Sequence, residues 1–176
     1  MYILYKVLSK LFGNKMIVKY YRKLGIVIGD NTHVFSRIIT SEPYLISIGN
    51  NTTISTNVTL LTHDSSIGPI VGRDVSSDLV GKISIGDNCF IGDGAIIMYG
   101  VSICDKVIVA AGSVVTKNIN KEGVIVGGNP ARIIGDIDSF MAKNEKKFLK
   151  LHGKTKKEKK HEILKCERYA SRKNII

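Results

Sequence analysis

The stretch ISIGDNCFIGDGAIIMYGVSICDKVIVAAGSVVT, residues 83–116, carries an aliphatic residue at every sixth position. These positions are Ile85, Ile91, Ile97, Ile103, Val109 and Val115. An earlier block repeats the spacing in two runs, Ile28 and Val34, then Ile48, Ile54 and Leu60. A period of six matches neither the 3.6-residue period of an α-helix nor the two-residue alternation of a long strand.

Such a period fits a short strand, a tight turn and another short strand, with each aliphatic side chain pointing inwards. Asn and Asp in the turns Gly49-Asn50-Asn51 and Gly86-Asp87-Asn88 tolerate the left-handed backbone that a tight corner requires. Three hexads would close one triangular coil of about eighteen residues, and stacked coils would bury a continuous aliphatic column.

This pattern resembles the hexapeptide repeat of acyltransferases over residues 25–135. The resemblance implies an all-β solenoid, a left-handed parallel β-helix with a short N-terminal helix and a basic helical C-terminal tail. The left hand comes from the resemblance alone, because the general rule for parallel crossovers gives the right hand. We expect an N-terminal helical segment at 1–24, a catalytic β-helix at 25–135 and a basic helical or mobile tail at 136–176.

The hexads are interrupted twice. Two residues are in excess between Val34 and Ile48, within TSEPYLIS, residues 40–47. No repeat runs through residues 65–82, which are predicted to form a loop that leaves the coil. Long loops on a rigid scaffold commonly carry function. His63 stands immediately before this excursion loop, at the fourth position of its hexad.

Four segments resemble the sugar and polysaccharide O-acetyltransferase subset of the family, in the same order along the chain. They are SEPYLISIG (41–49), NVTLLTHD (57–64), VAAGSVVTKN (109–118) and GGNPARIIG (127–135). The resemblance implies that His63 is the general base. The residue type suits the reaction, because a neutral imidazole can accept the proton of a sugar hydroxyl that attacks a thioester.

A general base of this kind needs a partner that fixes its tautomer. Asp64 is adjacent to His63, but neighbours on an extended strand face opposite ways. Glu42 lies about one coil earlier and is predicted to orient His63. The alternative is that Glu42 merely caps a turn.

The resemblance also implies acetyl-CoA as the acyl donor and co-substrate. Main-chain groups at Ala111 would take the pantetheine amides, and Thr116 and Lys117 would lie near the nucleotide end. Arg132 resembles a residue that contacts a cofactor phosphate; the alternative is a solvated charge. Asp93 occupies a position near the thioester that is often Ser in relatives, which leaves its role open.

Two other functions stay open at this point. One is N-acetylation of a nucleotide-linked amino sugar, which would use the same base. The other is a non-catalytic β-helical scaffold, which would need neither His63 nor the segment resembling a coenzyme A site. No metal is expected, since the β-helix offers only His33 and His63 where the metal-binding branch of the family needs three histidines.

The charge is divided unevenly along the 176 residues, whose formal net charge is +11. Residues 1–23 carry six Lys or Arg and no acid, residues 24–139 have a net charge of −4, and residues 140–176 have +9. The basic ends lack a nucleic-acid-binding motif, so no nucleic acid is expected as a partner. They could instead contact an anionic membrane, with solubility as the alternative.

The compartment and the assembly are predicted from other features. The three cysteines form no CxxC pair, which favours a reducing cytoplasm. Contact of the basic ends with an anionic leaflet would place the protein at the inner face of the cytoplasmic membrane. Lys6 and Lys10 interrupt the apolar run at the N-terminus, which argues against a signal peptide or spanning helix. The flat faces of the coil leave surface that one chain cannot cover, which predicts a homotrimer. The family resemblance implies that the cofactor lies between neighbouring chains.

Overall fold

The computed structural model describes residues 2–71 and 78–165; for residues 2–12, 69 and 71 it describes the backbone alone. Short strands separated by tight corners make up most of the chain between residues 27 and 136. The strands are β1 Val27–Ile28, β2 His33–Val34, β3 Ile46–Ile48, β4 Thr53–Ile54, β5 Thr59–Leu60, β6 His63–Asp64, β7 Leu79–Val80, β8 Ile83–Ile85, β9 Phe90–Ile91, β10 Ile96–Ile97, β11 Ser102–Ile103, β12 Ile108–Val109, β13 Val114–Val115, β14 Val124–Gly128 and β15 Ala131–Asp136. The helices are α1 Tyr2–Lys23, α2 Ile67–Val71, α3 Ile137–Asn144 and α4 Lys156–Lys165.

Three sheets form the faces of a parallel β-helix, and the chain visits them in turn. Face 1 has the order β1-β3-β8-β11, face 2 the order β2-β4-β9-β12-β14-β15, and face 3 the order β5-β10-β13. Ile97 pairs in parallel with Val115, and Ser84 with Ser102, so one coil takes 18 residues. The expected coil length and solenoid architecture are therefore confirmed.

The pairing between strands of successive coils shows both interruptions of the repeat as extra residues between paired positions. Val27 pairs with Ser47, 20 residues later, because the surplus residues of segment 40–47 lie between them. Ile48 pairs with Ile85, 37 residues later, because the excursion loop leaves the coil and returns. In both cases the strands of successive coils still meet in register, so each insertion is expelled from the solenoid.

The aliphatic positions of the repeat form the core. All six in residues 83–116 are at most 3% exposed: Ile85, Ile91, Ile97, Ile103, Val109 and Val115. The small residues four positions later, such as Cys89 and Ala95, are buried beside them. The period of six thus reflects one inward side chain per strand, and removal of such an aliphatic chain costs about 2–5 kcal/mol of stability in well-packed cores.

The corners use the predicted residue types. Asn51 and Asn88 have φ of 51° and 55°, in the left-handed region that Asn tolerates better than most residues. A glycine precedes the Asn-Asn and Asp-Asn pairs at these corners. A side chain on one of them, Gly49, would come within 2.6 Å of the backbone of Gly86 in the next coil. The corners of successive coils therefore stack too closely for any residue but glycine there.

The N-terminal helix α1 covers the start of the coil. It is interrupted at Gly13, whose φ of 65° is not helical. After this kink, Ile17, Val18 and Tyr21 are buried in the core of the coil. The Tyr21 hydroxyl accepts a hydrogen bond from the backbone N–H of Ile38, at 2.9 Å. The second half of α1 thus shields the otherwise open end of the aliphatic column.

The chain divides into two compact units, Met1–Ile137 and Asp138–Ile176. The first unit ends in an antiparallel pairing of β14 with β15, which closes the repeat around Pro130. The second has α3, a short 3₁₀ helix at Glu145–Lys147 and α4; residues 166–176 of the expected tail lie outside the described residues. The division at 24 and 135 stays a prediction. No helix in the described parts of the chain is long and apolar enough to cross a bilayer.

The excursion from the coil is more ordered at its base than a simple loop. Strands β6 and β7 pair antiparallel, with His63 opposite Val80 and Asp64 opposite Leu79. Helix α2 follows β6, and residues 72–77 lie outside the described residues. The interruption therefore begins with His63 and not at residue 65, so His63 belongs to the excursion and not to the fourth position of a regular hexad.

Candidate active site

His63 is held where the chain leaves the coil. The backbone N–H of Gly81 donates to the carbonyl of Thr62 at 2.9 Å, which ties the returning chain to the departing one. Gly81 itself lies against the backbone of Gly100 in the next coil, where a side chain would not fit. This anchoring leaves the His63 side chain 36% exposed, so the imidazole is both fixed at its base and open to solvent.

Glu42 and His63 are brought together. The Glu42 Oε2 atom lies 2.8 Å from His63 Nδ1, and the Glu42 side chain is 20% exposed. Glu42 precedes the 3₁₀ turn Pro43–Leu45 within segment 40–47. The two surplus residues of that segment make the turn possible, so the first interruption of the repeat supplies the carboxylate and the second supplies the imidazole.

The Asp64 carboxylate hydrogen-bonds within the turn that follows β6. Its Oδ1 accepts a hydrogen bond from the Ser66 backbone N–H at 2.9 Å. The side-chain and backbone hydrogen bonds of Ser66 lower the pKa of the Asp64 carboxyl. Asp64 therefore stabilises the turn after β6 and does not orient His63.

The contact between Glu42 and His63 shifts both groups. The hydrogen bond from His63 lowers the pKa of Glu42, and the Thr62 hydroxyl lowers it further. The hydrogen bond to Glu42 and its negative charge raise the pKa of His63 above 6.5, with smaller contributions from Asp78 and Asp64. The imidazole therefore keeps its proton to higher pH than an ordinary histidine does.

The pairing also decides which ring nitrogen can accept a proton. An ionised carboxylate can only accept hydrogen bonds, so the neutral imidazole must carry its proton on Nδ1. No described residue forms a hydrogen bond with Nε2. The arrangement thus presents one lone pair, on Nε2, to a bound molecule, which is the geometry that a general base requires.

Two threonines, which sequence reasoning missed, complete the surroundings of Glu42. The Thr62 hydroxyl lies 2.8 Å from Glu42 Oε2, and the Thr40 hydroxyl lies 3.3 Å from the same oxygen. Thr62 is only 2% exposed. A buried hydroxyl needs a hydrogen-bonding partner. Thr62 comes two residues after Leu60, and that place is not an inward position of the repeat, so the six-residue spacing gave no signal for it.

Lys117 and Arg132 also lie together. They line a cleft of about 360 Å³, along with Asn118 to Lys121 and Ala131 to Ile133. The Arg132 Nη1 atom donates to the carbonyl of Ala131 at 2.8 Å, and both cationic side chains are exposed. Thr116 is exposed and directly precedes this cleft without lining it. With Lys121, which is also exposed, three cationic side chains line this cleft, and they could bind a phosphate group.

Asp93 and Ala111 share a different corner, between faces 2 and 3. The Asp93 carbonyl accepts from the Gly112 backbone N–H at 2.8 Å, and Gly92 lies against the backbone of Ala111. The Asp93 carboxylate accepts from the side chains of Thr56 and Asn57. Strand β13 separates this corner from Lys117, so a single chain does not bring all of the predicted cofactor residues together.

His63 and Lys117 follow strands of the same face. Leu60, Ile97 and Val115 are aligned in register across β5, β10 and β13. His63 comes three residues after Leu60, and Lys117 two residues after Val115. Strand spacings of about 4.8 Å therefore place the two corners about 10 Å apart along the axis of the coil.

His33 takes no part in either group. It is exposed on β2 and stacks with Phe35, with the ring centroids 6.0 Å apart. Within residues 2–71 and 78–165, no three His, Cys, Asp or Glu side chains are grouped so that they could hold a metal ion.

Comparisons with known proteins agree with this architecture. A family model described as the hexapeptide repeat of succinyl-transferase matches residues 82–117. Protein CapG of Staphylococcus aureus is 39% identical over 141 residues, which cover 78% of this chain and 81% of CapG. Residues 82–117 are the part of the sequence in which the six-residue spacing is unbroken.

Two solved structures share the fold. A maltose O-acetyltransferase from Clostridium difficile is 30% identical, with a TM-score of 0.54 over 75% of this chain and 83% of the other. A hexapeptide-repeat acetyltransferase from Vibrio cholerae, solved with acetyl-CoA, is 30% identical, with a TM-score of 0.57 over 64% of this chain. This chain spans 61% of the length of the Vibrio protein.

The fold is thus the left-handed parallel β-helix, as expected. The match to CapG extends over most of both chains, and the repeat, the coil and the structural relatives all agree. This chain belongs to the hexapeptide-repeat acyltransferase family.

Proposed function

We propose that the protein transfers an acetyl group from acetyl-CoA to a sugar hydroxyl of a surface polysaccharide or its precursor, with His63 as the general base. The observation that carries this proposal is the 2.8 Å contact between His63 Nδ1 and Glu42 Oε2, while no residue that the structure describes forms a hydrogen bond with Nε2. The names of two relatives, a galactoside and a maltose O-acetyltransferase, support a sugar as the acceptor.

In the proposed reaction, the acceptor hydroxyl gives its proton to Nε2 as its oxygen attacks the thioester carbonyl carbon. The carbon–sulfur bond then breaks, and the departing thiolate of coenzyme A takes the proton from the imidazolium. Glu42 stabilises the imidazolium in between, since its carboxylate is ionised and lies against Nδ1. The products are the acetyl ester of the sugar and free coenzyme A.

The donor would be held by the residues that the sequence indicated. Lys117 and Arg132 would bind its phosphates in the cleft that they share, and Thr116 would lie at the entrance. Main-chain groups at Ala111, beside Asp93, would bind the pantetheine arm. Because these two groups lie at different corners, we propose a homotrimer in which neighbouring chains complete each donor site.

The test is release of coenzyme A thiol from acetyl-CoA with a panel of neutral sugars, amino sugars and polysaccharide fragments. An O-acetyl product is distinguished from an N-acetyl product by its cleavage with hydroxylamine. Turnover with hydroxyl acceptors, forming hydroxylamine-labile product, is expected. Turnover with amines alone would favour the N-acetyltransferase alternative. Failure to bind acetyl-CoA at all would favour the scaffold.

A further inference from the structure

The hydroxyl groups of Thr40 and Thr62 form a short chain that ends on Glu42. Their Oγ1 atoms lie 2.5 Å apart, and the backbone N–H of Glu42 donates to Thr40 Oγ1 at 3.0 Å. Thr62 Oγ1 lies 2.8 Å from Glu42 Oε2, closer than Thr40 Oγ1 at 3.3 Å. Either hydroxyl could donate across the contact between Thr40 and Thr62. The shorter distance to Glu42 favours Thr62 as the donor to the carboxylate, and Thr40 would then donate to Thr62.

The chain of hydroxyl groups and the His63 imidazole both contact the same oxygen atom of Glu42. Glu42 Oε2 accepts from both Thr62 and His63 Nδ1, each at 2.8 Å. A carboxylate bound by His63 alone could rotate about its side-chain torsions, since Glu loses considerable rotamer freedom when it is held. A second donor from a buried residue of the coil removes that freedom before any ligand arrives.

We propose that Thr62, with Thr40 behind it, is a positioning residue for the acyl transfer, whose hydroxyl holds Glu42 in the orientation that fixes the His63 tautomer. This inference rests on the proposed role of His63. It adds a link between the rigid coil and the imidazole, because Thr62 is 2% exposed whereas Glu42 and His63 lie on the two insertions. Valine would fill the same buried space but could not donate to the carboxylate.

Three variants separate positioning from packing. Thr62→Val removes the hydroxyl with little change of size, and Thr62→Ser keeps it. Thr52→Val is the matched control, since Thr52 is 0% exposed and its hydroxyl donates to the Gly86 carbonyl at 2.8 Å, with no contact to Glu42. Each variant is measured as the full-length protein for kcat and KM, for the pH profile of kcat/KM, and for the ¹⁵N NMR signals of the His63 ring.

Thr62→Val is expected to lower kcat about 10- to 100-fold, as small misplacements of reacting groups do. The KM for acetyl-CoA should stay the same. The acidic limb of the pH profile should move to lower pH, because a less firmly held carboxylate supports the imidazolium less. The His63 signals should change from a single Nδ1-protonated tautomer to a mixture. Thr62→Ser should keep the wild-type kcat, pH profile and single tautomer, and Thr52→Val should lower stability alone.

The inference is overturned if Thr62→Val keeps the wild-type pH profile and the single His63 tautomer, or if Thr52→Val changes them equally. If Thr62→Val does not fold, Thr40→Val interrupts the same chain at a half-buried position and is held to the same criteria. The proposed function fails separately, if His63→Ala retains full turnover. The NMR result then still decides whether Thr62 orients the pair, because it needs no acceptor.

Discussion

At the scale of single residues, the proposed chemistry depends on an imidazole that is held at Nδ1 and has no hydrogen bond from a described residue at Nε2. Glu42 supplies the anchor, and the acidic neighbours Asp64 and Asp78 add to the raised pKa of His63. The contact with Glu42 that fixes the His63 tautomer thus also raises the pH at which His63 loses its proton. Orientation and basicity are both gained at the expense of activity at low pH.

Replacement of His63 by alanine should lower kcat about 10²- to 10⁴-fold, the usual contribution of a positioned general base. Binding of acetyl-CoA should change little, because Lys117 and Arg132 are the proposed phosphate contacts. Steady-state kinetics and calorimetric titration with coenzyme A measure the two effects. Near-normal turnover of His63→Ala on the acceptor identified in the thiol-release screen would contradict the mechanism.

The pH dependence gives a second prediction. His63 must be neutral to act, and its pKa is raised, so kcat/KM should increase with pH through a value above 6.5. Glu42→Gln removes the negative charge, so the imidazolium is less stable and the acidic limb should shift to lower pH, with a lower maximal rate. Asp64→Asn is the control, since Asp64 binds Ser66 and should change the profile much less. An unchanged profile in Glu42→Gln would show that the carboxylate does not act on His63.

At the scale of elements, the two insertions and helix α1 carry what the repeat itself lacks. The insertions place Glu42 and His63 beside one another although they leave different coils. In α1, the side that packs on the coil contains Ile17, Val18 and Tyr21. Its exposed side carries Lys15, Lys19 and Lys23 at intervals of four residues. This spacing arranges the three charges along one face of the helix.

The exposed lysines of α1 lead to a prediction about anionic lipid. Each Lys near an anionic leaflet contributes about 1 kcal/mol of attraction, which salt screens. We expect the full chain to sediment with phosphatidylserine vesicles at low salt and less at high salt. The double variant Lys15→Gln, Lys19→Gln should bind more weakly than the coil variant Lys82→Gln, Lys106→Gln. Equal loss in both variants, or no binding at low salt, would leave solubility as the role of the basic ends.

At the scale of the whole molecule, a single chain presents its proposed donor residues at two separate corners. Asp93 and Ala111 lie at the corner before β13, and Lys117 lies at the corner after it, in a cleft that it shares with Arg132. The excursion also exposes apolar side chains around the site, with Ile67, Leu79 and Val80 at least 44% exposed. A symmetric assembly would cover such surface and could bring the two corners of neighbouring chains together.

Light scattering on the purified protein should give three times the 19.3 kDa of one chain. Activity should fall in parallel with dissociation when the protein is diluted, because each donor site would lose one of its walls. Acetyl-CoA should shift the equilibrium towards the trimer, since it would bind only the assembled site. A monomer with full specific activity would contradict the shared-site proposal.

The sequence alone determined the coil, because its cause is local and repeated. Every hexad buries one aliphatic side chain in the same geometry. The six-residue spacing of Ile85, Ile91 and Ile97 therefore predicts that they form the core, and all three are buried. The corners follow for the same reason, since Asn51 and Asn88 supply the left-handed backbone at equivalent points of successive coils. The left hand required the family resemblance, because the period of six is the same for either hand.

The tertiary structure alone decided how the site is assembled. Counting one coil back indicated Glu42, but the 2.8 Å contact depends on how segment 40–47 turns outside the repeat, and no period governs that turn. The ladder of β6 with β7 and the hydroxyl chain from Thr40 through Thr62 were missed for the same reason. Hydrogen bonds between segments that leave different coils depend on three-dimensional direction and distance, whereas burial in a repeat depends only on position along the chain.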